Sequence, residues 1–123
     1  RMLIVLDLDD FKYINDTYGH LAGDRCLKEI ARCLKQAYSS YGNCYRIGGD
    51  EFCVLLQELE KEELCKEKLL WLMEKRRKVV SILPFVSYGS AELMENECIR
   101  DTKIRADQKM YEDKKEHKER KCR

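Results

Sequence analysis

Three acidic side chains stand inside or beside apolar runs, where acids are costly. Asp7 lies in the branched run "MLIVLDL" (Met2 to Leu8), which continues into "DLDDFK". Asp50 and Glu51 follow Gly48 and Gly49 in "YRIGGDEFCVLL" (Tyr45 to Leu56), between two stretches that read as strands. Carboxylates brought together in partly dry surroundings repel each other and lose hydration, so they need a cation, a proton or basic partners. Magnesium meets that need, because it takes hard oxygen ligands and keeps positions for water and phosphate oxygens. Two carboxylates and a strand-end carbonyl such as that of Leu8 suit it. Glycines at 48 and 49 carry no side chain and let a phosphate or a ribose come close to the backbone. Each motif also has a plain structural reading, the glycine pair and its acids as an exposed hairpin turn, "DLDD" as a helix cap. Their co-occurrence in one short chain is what points to chemistry.

The elements that must position these acids follow from periodicity. Met2–Leu8 reads as a central strand buried on both faces. Leu27, Ile30, Ala31, Leu34 and Tyr38 recur at helical spacing and predict a helix over 21–40. "NCYRI" and "EFCVLLQ" read as the strands of a tight hairpin with Gly48, Gly49 and Asp50 at its tip. A second helix over 60–80 turns Leu69, Leu72, Met73 and Val80 inward. Pro84 then separates it from the strand "FVSYGSA", and a last helix over 99–118 is apolar at Ile104, Met110 and Tyr111 before the chain runs out into "KKEHKERKCR". This order predicts an α+β, split-βαβ layout with helices over an antiparallel-containing sheet, and brings Asp7 near Asp50 at one rim.

Composition narrows the function classes. The 123 residues fit one domain, and 38% charged residues cancel to a net +1, so no overall field draws nucleic acid or an anionic membrane. No apolar run approaches the roughly 18 residues of a membrane span, and no signal-peptide pattern opens the chain, which reads as soluble. The seven cysteines (Cys26, Cys33, Cys44, Cys53, Cys65, Cys98, Cys122) are odd in number and form no C-x-x-C pair. They fit a reduced, cytosolic setting as small buried hydrophobes rather than zinc or redox ligands.

"DLDDFKYINDTYGHLAGD" followed by "RIGGDEF" closely resembles the GGDEF family of diguanylate cyclases, and the resemblance extends through "VSYGSA" to "ADQKMYEDKK". It implies a fold like the palm of nucleotidyl cyclases and polymerases, a ferredoxin-like mixed sheet covered by helices. It also implies condensation of two GTP into cyclic di-GMP and two pyrophosphates, by a homodimer with one GTP per half-site. By motif position, Asp7, Asp50 and the Leu8 carbonyl are implied as ligands of Mg2+, with Mn2+ as the alternative ion. Asp50 takes the place of the proton acceptor and Glu51 that of the second acid. Lys12 and Lys114 fall on phosphate-binding positions, Gly48 and Gly49 beside them, and Asn15, His20 and Asp24 on substrate positions. An amide and a carboxylate suit guanine, which offers N1–H and N2–H donors. Asn15 as a turn residue, Asp24 as a first-turn acid and His20 as a capping or packing imidazole remain open beside that reading. A noncatalytic GTP-binding regulatory module is the alternative function.

The sequence departs from the family pattern in three places. The segment resembling D-x-L-T-x-L-x-N-R, expected before the first strand, is missing, so 1–123 reads as a single domain without it. The pattern "AK-x-x-GR" becomes Asp113, Lys114, Lys115, Glu116, His117, Lys118, where lysine stands for arginine and a forked phosphate contact becomes a point charge. The R-x-x-D feedback motif is replaced by "SSYG", Ser39 to Gly42, so no such site is expected. The resemblance further implies a sensory or dimerising domain in the full-length protein, no nucleic-acid partner, and a cytoplasmic location, including as the cytoplasmic part of a larger, membrane-bound protein.

Overall fold

β1 (Met2–Leu8) lies between two antiparallel neighbours, β3 (Glu51–Leu56) on one side and β4 (Val86–Glu92) on the other. The computed structural model, which describes residues 1–121, adds β2 (Gly42–Arg46) outside β3, giving the order β2-β3-β1-β4. The helices are α1 (Phe11–Tyr18), α2 (His20–Tyr38), α3 (Glu62–Arg77), entered through a 3-10 turn over Leu59–Lys61, and α4 (Ile99–Lys121). The α+β, palm-like expectation holds. Every strand pairing is antiparallel where a mixed sheet was expected, because a helix separates β1 from β2 and returns the chain two strands away.

Alternation along the strands sorts the side chains into two cores. Ile4, Leu6 and Leu8 of β1 join Phe52, Val54, Leu56 and Val86 in the large core beneath α2 and α3. α2 contributes Cys26, Leu27, Ile30, Cys33, Leu34 and Tyr38, and α3 contributes Cys65, Leu69 and Met73. The two helices are tied together by Arg76, which donates to both oxygens of the buried Glu29 at 2.7 and 2.8 Å. The opposite face carries a small core of Val5, Ala91 and Ala106 beneath α4. Cys26, Cys33, Cys44, Cys53, Cys65 and Cys98 are free thiols, and Cys122 lies outside the described residues. Burial pushes the Cys26, Cys33, Cys44, Cys53 and Cys65 thiols up, as inert core groups require.

Four sequence expectations need correction. "FKYINDTY" forms α1, which no apolar repeat announces, since Ile14 is its one buried residue. A break at Gly19, held at φ 92° where a side chain is strained, separates α1 from α2. α3 ends at Arg77 rather than near residue 80, and α4 runs on to Lys121 rather than ending near 118. Most consequentially, Ile104 and Tyr111 are exposed, at 57% and 61%, and α4 faces the sheet with Thr102 and Ala106.

The reason is close approach. A Cβ on Gly89 of β4 would sit 2.1 Å from the Ala106 carbonyl oxygen and 2.4 Å from the Met110 nitrogen, so helix backbone rests almost on strand backbone. Only small residues fit such a seam. Gly89→Ala should therefore lower the unfolding free energy by about 1–3 kcal/mol through overpacking, read by urea denaturation. An unchanged midpoint would mean α4 does not seat there.

Candidate active site

The β1 register builds the site. Asp7 pairs with Glu51 of β3 and with Ser87 of β4, so three polar side chains form a row across the sheet face that α4 covers. α4 answers this row with two lysines. Lys114 Nζ donates to Asp7 Oδ2 at 2.8 Å, and Lys103 Nζ lies 2.8 Å from Asp107 Oδ2 and 3.3 Å from Glu51 Oε1. Asp50 adjoins the row because the Leu8 amide donates to its carbonyl at 3.2 Å, fastening the β2–β3 loop to the end of β1. Asp7, Leu8 and Asp50 thus come together as the sequence implied.

Charge is unevenly compensated here. Burial and the neighbouring Asp7 carboxylate push the Asp50 carboxyl up to about 6, against the lesser pull of Lys114. Burial draws the Lys114 ammonium down, but Asp7, Asp50 and Asp9 outweigh it and hold it above the usual lysine value. Asp7 Oδ1 and Asp107 Oδ1 are buried without a hydrogen-bond partner, and Glu51 Oε1 has the 3.3 Å ion pair with Lys103 but no hydrogen bond. Unpartnered carboxylate oxygens beside a proton-retaining acid are hard donors of the kind that suit magnesium or manganese. Among the described residues no group of three or more His, Cys, Asp or Glu side chains is arranged to hold a metal. An ion at Asp7 and Asp50 therefore needs main-chain and ligand oxygens as well.

The loop between β2 and β3 is wider than the tight hairpin expected. Ile47 and Gly48 amides both donate to the Glu51 carbonyl, at 3.0 and 3.3 Å. Arg46 spans the tip, donating to the Gly48 carbonyl at 3.1 Å and the Gly49 carbonyl at 2.6 Å. Neither glycine has a positive φ, and a Cβ on Gly49 would meet nothing within 4 Å. Turn geometry does not demand glycine at 49; open space above the backbone is what it provides. The pair does lie in an exposed loop, as the plain reading has it, although neither glycine is held there by a positive φ.

The remaining candidates lie on α1 and α2. Asn15 reaches α2, where its Oδ1 would lie 2.0 Å from a Cβ at Gly23, one residue before Asp24. Gly23 thus admits Asn15 to the side of Asp24. Asp24, with Leu27, Ala31, Leu34, Tyr45 and Phe52, lines a cavity of about 450 Å3 between α2 and the β2–β3 pair. Lys12 and His20 are exposed, and neither forms an ion pair with the acid row. Lys118 is exposed as well. At the replaced feedback motif, a Cβ on Gly42 would sit 2.3 Å from the Leu55 carbonyl oxygen, so an aspartate could enter only by displacing β3.

Arg46, Lys103 and Asp107 were missed by reasoning from sequence, as was the cluster of Asp9, Ser87, Asp113 and His117. Lys103 with Asp107, and Asp113 with His117, form two pairs at a spacing of four on α4, a signal open to detection only once α4's buried face is known. Among the described residues no helix is long and apolar enough to cross a membrane.

Known proteins share this architecture. The GGDEF domain of DgcB from Caulobacter crescentus, solved in complex with c-di-GMP, matches with a TM-score of 0.80 at 30% identity, over 93% of this chain and 71% of that one. Diguanylate cyclase SiaD from Pseudomonas aeruginosa, solved with its activator SiaC, matches at 0.78 and 34% identity, over 94% of this chain and 46% of that one. Diguanylate cyclase DgcN of Escherichia coli is 34% identical over 95% of this chain and 30% of its own length. Diguanylate cyclase DgcS of Shewanella oneidensis is 35% identical over 91% and 38% respectively. This chain therefore spans about a third of the length of these curated relatives. The family model described as "Diguanylate cyclase, GGDEF domain" matches residues 1–120, and the chain belongs to the GGDEF-domain family of diguanylate cyclases.

The raised Asp50 carboxyl has a thermodynamic consequence. Folding lifts it from 3.8 to about 6, so the folded chain keeps a proton that the unfolded chain releases. The stabilisation is fully present below the lower value and is lost as pH rises through the upper one. Asp50→Asn should therefore raise the melting temperature more at pH 7.5 than at pH 4 when divalent cations are absent, by an amount reduced by solvent screening of this half-exposed group. A difference independent of pH would place Asp50 outside the charge cluster.

Proposed function

We propose that this chain is a catalytic diguanylate cyclase domain, condensing two GTP into cyclic di-GMP and two pyrophosphates across a homodimer with one GTP per half-site. The observation that carries this reading is the strained pair Asp7 and Asp50 at adjoining strand ends, with Asp7 Oδ1 buried and unpartnered. In a purely structural module that arrangement only destabilises. Asp7, Asp50 and the Leu8 carbonyl are the groups to hold Mg2+, or Mn2+ in its place. When bound, such an ion would supply positive charge to offset that on the phosphate oxygens and would favour loss of the 3′-hydroxyl proton.

The chain's own residues supply the rest. Above its raised pKa, Asp50 accepts the proton of a ribose 3′-hydroxyl, whose oxygen forms a bond to the α-phosphorus of the other GTP as the α–β bridging bond breaks and pyrophosphate leaves. Lys12 and Lys114 present ammonium groups to the phosphates, and Glu51 completes the acid row under the hold of Lys103. Gly48 and Gly49 leave the loop backbone open to ribose and phosphate. The α2 cavity, with Leu27, Ala31, Leu34 and Phe52 among its walls beside Lys28, Lys35 and Arg46, offers space for a purine, with Asp24 as acceptor for guanine N1–H and N2–H. Asn15 and His20 lie outside that lining and are assigned as further polar contacts by motif position alone. A sensory or dimerising domain elsewhere in the whole protein brings two copies together in the cytoplasm.

The full-length protein incubated with GTP and Mg2+ should yield cyclic di-GMP, and Asp7→Asn or Asp50→Asn should lower turnover by about 10³-fold with circular dichroism unchanged. Tight GTP binding without any product would instead identify a noncatalytic GTP-binding regulatory module. ATP should be rejected by about 10⁴-fold where the site pairs buried polar groups with guanine. Asp24→Ser should narrow that gap, and an unaltered preference would mean that guanine is read elsewhere.

A further inference from the structure

Beyond Met110 α4 has almost nothing apolar with which to hold the sheet. From Tyr111 to Arg120 no residue is fully buried, and the half-buried ones are Asp113, Lys114 and His117. All three touch the rim of β1 and β4 through polar atoms. His117 Nδ1 lies 2.6 Å from Asp9 Oδ2, and the carboxylate is the acceptor. The other oxygen of Asp9 accepts from Ser87 Oγ at 2.5 Å, and Ser87 Oγ also stands 3.3 Å from His117 Nδ1. On the far side of the imidazole, Nε2 is 3.4 Å from Asp113 Oδ1, while Asp113 Oδ2 accepts the Tyr88 amide at 2.9 Å.

The cluster is built rather than incidental. Asp9 is 7% exposed and Ser87 is wholly buried, so neither could remain unpaired without cost. It joins the residue two past Asp7 on the chain after β1, the residue paired with Asp7 on β4, and two residues of α4 that flank Lys114 by one and three positions. Every anchor lies within a short reach of the Lys114–Asp7 contact.

We propose that His117, with Asp113, Asp9 and Ser87, is a positioning device that seats the last turns of α4 and thereby sets Lys114 against Asp7 for phosphate binding. The proposal rests on the reading of Lys114 as a phosphate-binding residue. Lys118 is exposed and outside the clamp, which leaves Lys114 as the anchored cation on this stretch of α4.

Calorimetry of a nonhydrolysable GTP analogue with Mg2+ on the full-length protein tests it. Lys114→Met and His117→Ala should each weaken binding by about tenfold or more, the loss of one charged hydrogen bond. The double variant should bind no more weakly than Lys114→Met alone, and His117→Asn, whose amide can donate to Asp9, should recover most of the affinity. Wild-type affinity in His117→Ala, or a loss that multiplies in full onto that of Lys114→Met, overturns the proposal. His117→Leu, which fills the space without a donor, replaces the alanine variant if that one does not fold. If the wild-type protein binds no nucleotide, the GTP reading fails and the clamp is judged by a crystal structure of His117→Ala. Lys114 Nζ beyond hydrogen-bond distance of Asp7 supports it, and the contact retained overturns it.

Discussion

Everything at this site depends on a carboxylate placed in the middle of a sheet. Asp7 sits on the strand with neighbours on both sides, so the protein surrounds it with other strands before any solvent can reach it from the flanks. The pairings of β1 fix what stands beside it, Glu51 on one side and Ser87 on the other, and a one-residue slip would send the row into the apolar core under α2 and α3. The alternation that buries Ile4, Leu6 and Leu8 therefore also aims Asp7 at α4. Packing and chemistry share one register.

α4 is shaped by that demand. Over Thr102, Ala106 and Gly89 it lies so close to β4 that backbone meets backbone, and this intimate seam sets the height at which its lysines face the acids. Past the seam the helix relies on charge at Lys114, which together with Lys103 beside the seam offsets part of the repulsion among the acids. Stability given up at Asp50 is only partly returned, since the carboxyl still holds its proton to about pH 6. Strained acids at adjoining strand ends are a cost that a binding or catalytic role explains and a packing role does not.

Much of this was legible in the sequence, and the exceptions have physical causes. β1 and β3 announce themselves by apolar runs, β4 by its place after Pro84, and α2 and α3 by apolar residues at helical spacing. α1 does not, because a short helix with one buried side chain leaves no periodic trace. The face of α4 was misjudged for a related reason. Large apolar residues ordinarily mark the inward side, but a helix pressed onto a strand glycine must turn alanine and threonine inward and leave Ile104 and Tyr111 in water. Motifs marked Asp7 and Asp50, which adjoin at the end of β1, and Asn15 and Asp24, which lie on α1 and α2. They could not deliver Lys103 or the pairing of Asp9 with His117, which lies 108 positions along the chain and exists only once the register of β1 and the seat of α4 are known.

The charge balance of the rim bears on how a nucleotide could be held there. Asp7, Asp9, Asp50, Glu51, Asp107 and Asp113 crowd the end of β1 and the facing turns of α4, against Lys103, Lys114 and the His117 imidazole. The lysines are already engaged with the acids, so a triphosphate arriving at this rim meets a region with cations to share and none to spare. The net +1 of the whole chain offers no help at that range, because screening confines surface charge to about 8–10 Å. A divalent ion at Asp7 and Asp50 would reverse the balance locally and free Lys114 to turn from carboxylate to phosphate. In the proposed cyclase the same acids that weaken the fold are thus the condition for taking up an anionic substrate, and the clamp at His117 keeps the released lysine within reach of it.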